Sequence, residues 1–358
     1  MFRRKLQKIL PTAKLGLIFF TIILVIFGGI KLFQFVVKQK LTPQVLWQVL
    51  TVNPSVLKQN SNRTNILLAG IGGSSHEGGD LTDTMMVASI DFTAKDLVLI
   101  SIPRDIWVAS FKDKINAAYR IGEAKQKTAG FILAKAAVEE VVGLPIHYGV
   151  IIDFSGFVSL VDNVGGIDVP IEETFIDDMY PIAGAENDLC NGDIEYKCRY
   201  ESITFTKGTE HMDGARALKY VRSRHAVGDA GTDFSRGKRQ ETVMVALKNK
   251  ILSRQSIFDV KKLVNIMKLA NKSLLTDMLW GEELVLARNL TAKMPDIRSY
   301  GISWDQPQKK QLGLLINPPT YQYENLWVLV PKHGNYDKIR KYITCVVDNL
   351  TTCERLYE

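Results

Sequence analysis

Residues 15–37, LGLIFFTIILVIFGGIKLFQFVV, form the longest apolar run in the chain. That run decides on which side of a membrane everything else folds. Residues 15–30 carry no charge, and the one charge inside the run, Lys31, sits where its ammonium would snorkel to an interface. Arg3, Arg4, Lys5, Lys8 and Lys14 precede it. The positive-inside rule then keeps residues 1–14 in the cytoplasm as a basic tail, sends 15–37 across as one transmembrane helix, and exports the rest. No A-x-A-like site follows before a polar stretch, so the run reads as a signal-anchor and not a cleaved signal peptide. The expected location is the cell membrane, single-pass, with an extracytoplasmic C-terminal domain.

Of the 358 residues, about 300 remain after the anchor, enough for one large domain or two small ones. The formal net charge of +7 suits anionic partners such as pyrophosphates, phospholipid surfaces or anionic polymers. Nucleic acid is not expected, because there is no zinc-finger spacing, no long basic run and no RNA-binding aromatic signature. Cys190 and Cys198 are separated by seven residues, as are Cys345 and Cys353. Zinc favours closer cysteines. In an exported domain two local disulfides are the simpler reading, although four cysteines allow three connectivities and free thiols.

Residues 38–62 read as a polar juxtamembrane linker and 63–358 as the exported domain, with its motif-bearing core at 63–255. Residues 65–73 are an apolar run ending in glycines, so a buried strand feeding a loop. Residues 85–90 and 97–102 are two more strands around a turn near Thr93, Ala94 and Lys95. The pattern predicts a helix over 116–142, a strand at 148–152, a helix at 154–161 and a turn into a strand at 164–169. An irregular, acidic excursion follows at 172–203. Helices are expected at 214–223, 233–252 and within 259–290, a strand at 326–330, and a helix at 336–350. Strands alternating with helices give an α/β fold, a central mixed sheet flanked by helices.

Charged residues gather at strand ends and in loops, where sites usually lie. Arg222 and Arg224 are two apart, so in an extended segment both face the same way, an arrangement that needs an anion or a carboxylate between them. Planar guanidinium donors suit phosphate better than lysines do. Arg236 and Gln240 are four apart on one helix face, with Asp233 one turn before Arg236. Asp80 and Asp83 stand just ahead of a strand, as ligands for a hard cation or as turn residues. Arg104 and Asp105 follow a strand directly, and Lys114 opens a helix, where anions are favoured.

Taken together in order, LTDTMM (81–86), SIPRD (101–105), KINAAY (114–119), DFSGFVSLVDNVGG (153–166), DGARALKYVRSR (213–224) and DFSRGKRQ (233–240) resemble the LytR–CpsA–Psr family of cell-wall glycopolymer transferases. The resemblance covers roughly 63–255, with weaker likeness beyond. It implies a polyprenyl-pyrophosphate-linked glycan as donor, peptidoglycan as acceptor, and Mg²⁺ (or Mn²⁺) as cofactor, with the lipid tail in an apolar tunnel between sheet and helices. Carried over position by position, Asp83 would hold the metal, with Asp80, Glu77 or His76 nearby. Gly72 stands where the family has a second metal-binding carboxylate. Arg104, Lys114, Arg222, Arg224, Arg236, Arg239 and Gln240 would hold the pyrophosphate. Arg104, Asp105, Arg222, Arg224, Asp233 and Arg236 are the expected catalytic set, with Asp105, Asp233 and His225 as candidate bases. A hydrolase using water, or a non-catalytic binder regulating envelope assembly, are the alternative readings. The apolar faces of 129–142 and 243–252 are candidate tunnel walls.

Overall fold

The computed structural model describes residues 42–73, 79–185, 187–231, 233–251, 274–293, 296–306, 312–350 and 353, with 27, 29–31, 34 and 37. Phe27, Ile30, Lys31 and Val37 are helical and exposed. Most of the expected 15–37 span lies outside the described residues. Among those described, no helix is long and apolar enough to cross a membrane.

The chain divides into two compact units, 1–57 with 278–292, and 58–277 with 293–358. In the first, helix α1 (Pro43–Thr51) lies within the segment expected to be a linker. The reason is local. The Thr42 side chain accepts from the Val45 amide at 3.3 Å, and Pro43 starts the first turn, where its missing N–H costs nothing. The same unit holds all but the last residue of a helix at Trp280–Lys293.

The second unit is built on a six-stranded mixed sheet. β1 (Arg63–Ile71) pairs antiparallel with β2 (Thr82–Asp91), and β2 with β3 (Asp96–Ser101). The expected turn between β2 and β3 is present, with the Asp91 carboxylate accepting from the Thr93 and Ala94 amides at 2.7 and 2.8 Å. After the small β4 (Trp107–Val108) and β5 (Asp113–Lys114) ribbon come α2 (Ala118–Lys125) and α3 (Ala129–Val142). The single helix expected over 116–142 is therefore broken in two. At Gly122 an added Cβ would lie 2.5 Å from the Ala129 carbonyl, so the two helices meet too closely for any side chain there. β6 (Tyr148–Asp153) returns parallel to β1. Outermost beside β6 is β11 (Leu274–Thr276), antiparallel to it.

The other edge was not legible. β12 (Asp296–Gly301) runs parallel to β3. Its sequence, DIRSYG, lacks apolar alternation. What fixes it is Arg298, which donates to both Asp96 oxygens at 2.9 and 2.8 Å, while Arg63 reaches the same carboxylate from β1. Burial lifts the Asp96 carboxyl, but the two guanidiniums outweigh it and hold the group below its ordinary range.

Strand residues alternate between two buried faces. Leu67, Ala69, Met85, Val87, Val98 and Ile100 pack on Phe131, Ala134, Val138 and Val141 of α3 and on Ile339, Ile343 and Val346 of the C-terminal helix Asp337–Val347. The α3 face is thus packed into this main core. A second core lies among α4 (Phe154–Asn163), β7 (Ile167–Ile171), α5 (Gly214–Arg222) and α6 (Asp233–Ile251), and it takes in Val243, Ala246 and Leu247 of the other expected tunnel wall.

The 172–203 excursion is more ordered than expected. β8 (Phe175–Pro181) and β9 (Tyr200–Phe205) form a ribbon, and Phe175 stacks on Phe205 at 5.1 Å. β10 (Gly208–Met212) pairs with β7. Both disulfides are local, Cys190–Cys198 and Cys345–Cys353. The strand expected at 326–330 shrinks to β14 (Val330–Pro331), paired with β13 (Leu315–Ile316), and Leu329 makes a single bridge to Ile106. Most of the helical segment expected within 259–290 lies outside the described residues.

Candidate active site

The site forms where the start of β2, the chain leaving β3, the end of α5 and the first turns of α6 converge. Two adjoining cavities mark it. One of about 210 Å³ is lined by Asp83, Thr84, Phe154, Pro181, Arg222 and Gln240. One of about 580 Å³ is lined by Arg104, Asp105, Lys114, Trp304, Gln306 and Trp327. Arg224, His225 and Arg236 line both. A third, of about 190 Å³, lies against Ile102, Pro103, Tyr300 and Ile302 and shares Arg236 and Trp304 with its neighbours.

Arg104 links the two carboxylates of this region. It pairs with Asp83, and its Nε lies 3.3 Å from Asp105 Oδ2. Lys114 Nζ lies 2.8 Å from Asp105 Oδ1. These four groups balance one another. Arg222, Arg224 and Arg236 stand beside them on the smaller of these two cavities. Arg222 is positioned by neutral groups, with its guanidinium 4.2 Å from the Phe154 ring centre and 3.5 Å from the Tyr180 hydroxyl. Its charge therefore faces the cavity without a carboxylate partner among the described residues.

The backbone explains the convergence of Arg222 and Arg224. Helix α5 ends at Arg222, and Ser223 turns extended, with φ −54° and ψ 130°. Ser223 points inward and is fully buried, so the residues on either side of it face the cavity. The turn is fastened from within. Asp177, fully buried on β8, accepts from the Ser223 hydroxyl at 2.7 Å and from the Arg224 and His225 amides at 3.0 and 3.1 Å. Burial pushes the Asp177 carboxyl up, and these hydrogen bonds, with one from the Met179 amide, bring it below its ordinary value. Sequence reasoning missed Asp177 because it sits in a stretch that reads as irregular and acidic.

Arg239 stands apart from the other arginines. Its guanidinium is buried, donates to the Ala230 and Ser223 carbonyls at 2.7 Å each, and lies over the Phe175 ring at 4.9 Å. Burial lowers it to about 10. It does not line either cavity, and its work is to hold the arginine-bearing turn. The expectation that it binds pyrophosphate is corrected on this ground. Gln240 ties α6 to β2 through Thr84 Oγ1 at 3.2 Å.

Asp80 is exposed and lines neither cavity. Asp233 opens α6, but its side chain, like His76 and Glu77, lies outside the described residues. Among the described residues, Asp83 is the carboxylate lining the smaller cavity. Magnesium is often bound by one or two carboxylates with phosphate oxygens completing the shell, and that donor set fits Asp83 beside three arginines.

The family model of the LytR_cpsA_psr family matches residues 34–337. The polyisoprenyl-teichoic acid–peptidoglycan teichoic acid transferase TagV of Bacillus subtilis (strain 168) is 30% identical over 288 residues, 77% of this chain and 63% of TagV. The regulatory protein MsrR of Staphylococcus aureus (strain Mu50) is 27% identical over 214 residues, 59% of this chain and 56% of MsrR. The chain thus spans between half and two-thirds of the length of these curated relatives. Against the crystal structure of B. subtilis TagV the TM-score is 0.54 at 25% identity, over 81% of this chain and 99% of that one. The ordered motifs, the mixed sheet between helices and the match over residues 34–337 agree, and the chain belongs to the LytR–CpsA–Psr family.

Proposed function

We propose that this protein is a membrane-anchored phosphotransferase that moves a phosphoglycan from a polyprenyl-pyrophosphate carrier to peptidoglycan or a related cell-wall glycan. The observation that carries the reading is the cavity in which Arg222, Arg224, Arg236 and Gln240 surround space beside Asp83, the carboxylate that lines it among the described residues, paired to Arg104. Such a pocket favours a multiply charged oxyanion. The transferase named among its relatives acts on teichoic acid and peptidoglycan.

In the reaction an acceptor hydroxyl oxygen bonds to the glycan-bearing phosphorus. The bond from that phosphorus to the lipid-phosphate oxygen breaks, and the hydroxyl proton is lost. The products are a phosphodiester and lipid phosphate. Negative charge grows on the non-bridging and leaving oxygens, where Arg222, Arg224 and Arg236 stabilise it without reorganising. Asp83 would hold Mg²⁺ or Mn²⁺, which when bound neutralises phosphate charge. Asp105, fixed between Arg104 and Lys114, is the described carboxylate best placed to take the proton. The polyprenyl tail explains the anchor, because tethering raises the concentration of a bilayer-bound substrate.

The test uses the full chain in detergent with a polyprenyl-pyrophosphate oligosaccharide, Mg²⁺ and peptidoglycan fragments, with products read by mass spectrometry. A phosphodiester adduct that disappears in Arg222→Ala is the expected result. Free phosphosugar alone would make the protein a hydrolase, and binding without turnover would make it a regulator.

A further inference from the structure

The larger cavity has a wall that the phosphate chemistry does not use. Trp304 and Trp327 meet edge to face, 5.7 Å apart at 83°, on the same cavity as Arg104, Asp105 and Lys114. Trp327 is 40% exposed, while Trp304 packs partly on the main core. Two large aromatics half-open to water beside a charged pocket are costly to leave bare.

The pair is rigidly held. At Gly313 an added Cβ would lie 2.4 Å from the Trp304 carbonyl carbon, so the backbone at Gly313 packs directly against that of Trp304. The Ser303 carbonyl accepts from Leu314 and Leu315 at 3.0 and 3.2 Å, and Asp305 N donates to Leu315 at 2.8 Å. On the Trp327 side, Leu329 N donates to the Asp105 carbonyl and Trp107 N to the Leu329 carbonyl, both at 2.9 Å. The segment carrying Trp327 therefore runs along the one carrying Arg104 and Asp105, and the two walls of the cavity share hydrogen bonds.

From this juxtaposition we infer that Trp304 and Trp327 form a carbohydrate subsite, a platform for the C–H face of a sugar ring whose hydroxyls reach the Asp105 carboxylate and the Gln306 amide. A hydrocarbon tail would meet the charges of Arg104, Asp105 and Lys114 here, whereas a sugar has one apolar face and polar edges that match both kinds of wall. The inference rests on the transferase reading and assigns where its glycan lies. Trp327 is a specificity-determining contact and Trp304 its support.

The test measures binding to the full chain of two separate probes, chitotetraose as a neutral oligosaccharide and inorganic pyrophosphate, by calorimetry. Trp327→Ala is expected to weaken chitotetraose about tenfold or more and leave pyrophosphate within about twofold, and Trp327→Phe to restore most of the sugar affinity. Arg222→Ala is expected to do the reverse. If Trp327→Ala binds chitotetraose like the unmodified protein, or if that protein binds no chitotetraose, the subsite is overturned. That result leaves the transferase reading standing, because that reading falls on its own assay, by release of free phosphosugar alone or by donor binding without turnover. Repeating the sugar titration with a saturating polyprenyl-pyrophosphate oligosaccharide identifies the source. Retained chitotetraose binding gives the subsite to the acceptor, and displacement gives it to the sugar of the donor.

Discussion

The carboxylate of Asp177 accepts the hydroxyl of Ser223 at 2.7 Å, and through that bond β8 sets the direction of Arg222 and Arg224. Neither partner touches the cavity. Replacing Asp177 by Ala leaves a buried hydroxyl and the Met179, Arg224 and His225 amides without their acceptor, a loss of about 3 kcal/mol or more. Thermal unfolding is expected to show a lower Tm, and pyrophosphate affinity is expected to fall as the turn loosens. Asp177→Asn keeps part of both.

Acid should act on the same bond. Asp177 and Asp96 both titrate below the ordinary 3.8 in the folded protein, held down by hydrogen bonds in one case and by Arg298 and Arg63 in the other. A depressed carboxyl stabilises the fold above its unfolded value and loses that contribution as pH falls through the folded value. Stability measured by denaturant titration is therefore expected to be flat from neutral pH to about pH 5 and to drop below about pH 4. Asp96→Asn should flatten part of the drop. An unchanged acid limb in both Asp96→Asn and Asp177→Asn would remove this account.

Arg239 and Arg222 should separate stability from binding. Arg239→Lys removes one or both bonds to the Ser223 and Ala230 carbonyls inside the core, and Tm is expected to fall by several degrees. Arg222→Ala, held only by ring faces and one long hydroxyl contact, should leave Tm nearly unchanged while lowering pyrophosphate affinity on the order of 10- to 100-fold. Equal losses of Tm would refute the division of roles.

The two disulfides are expected to differ. Each closes a loop with a sequence separation of 8, a chain-entropy contribution of about 2.5 kcal/mol. Cys345 and Cys353 are buried in the main core, so the double Ala variant should lower global stability by at least that amount. Cys190 and Cys198 lie on an exposed loop, and their removal should show as faster local amide exchange with little change in Tm.

Much of the site was legible because its residues lie in short ordered motifs. Asp83, Arg104, Lys114, Arg222, Arg224, Arg236 and Gln240 all line the cavities from elements close to those the apolar pattern predicts. Arg239 was misread for a physical reason. On a helix, Arg236 and Arg239 are neighbours on one face, and only tertiary packing decides that one looks out and the other in. Asp177 lies in an acidic stretch whose strand the apolar pattern does not mark, and Trp304 and Trp327 lie on irregular segments, so none of the three carries a periodic signal. β12 was invisible for a similar reason. Its pairing depends on Arg298 and Asp96, residues about 200 positions apart in the chain, and not on apolar alternation.

That edge strand sets an order of assembly. β1, β2, β3 and β6 are made within the first 153 residues, yet β3 gains its outer partner only with residues 296–301. Until then a growing chain presents the row of open hydrogen-bonding groups on β3, flanked by Val98 and Ile100, to any strand it meets. Closing so long a loop is slow. A chain cut before residue 296 should therefore aggregate, whereas cuts beyond 301 should leave the sheet edge sealed but the Trp327 wall unmade.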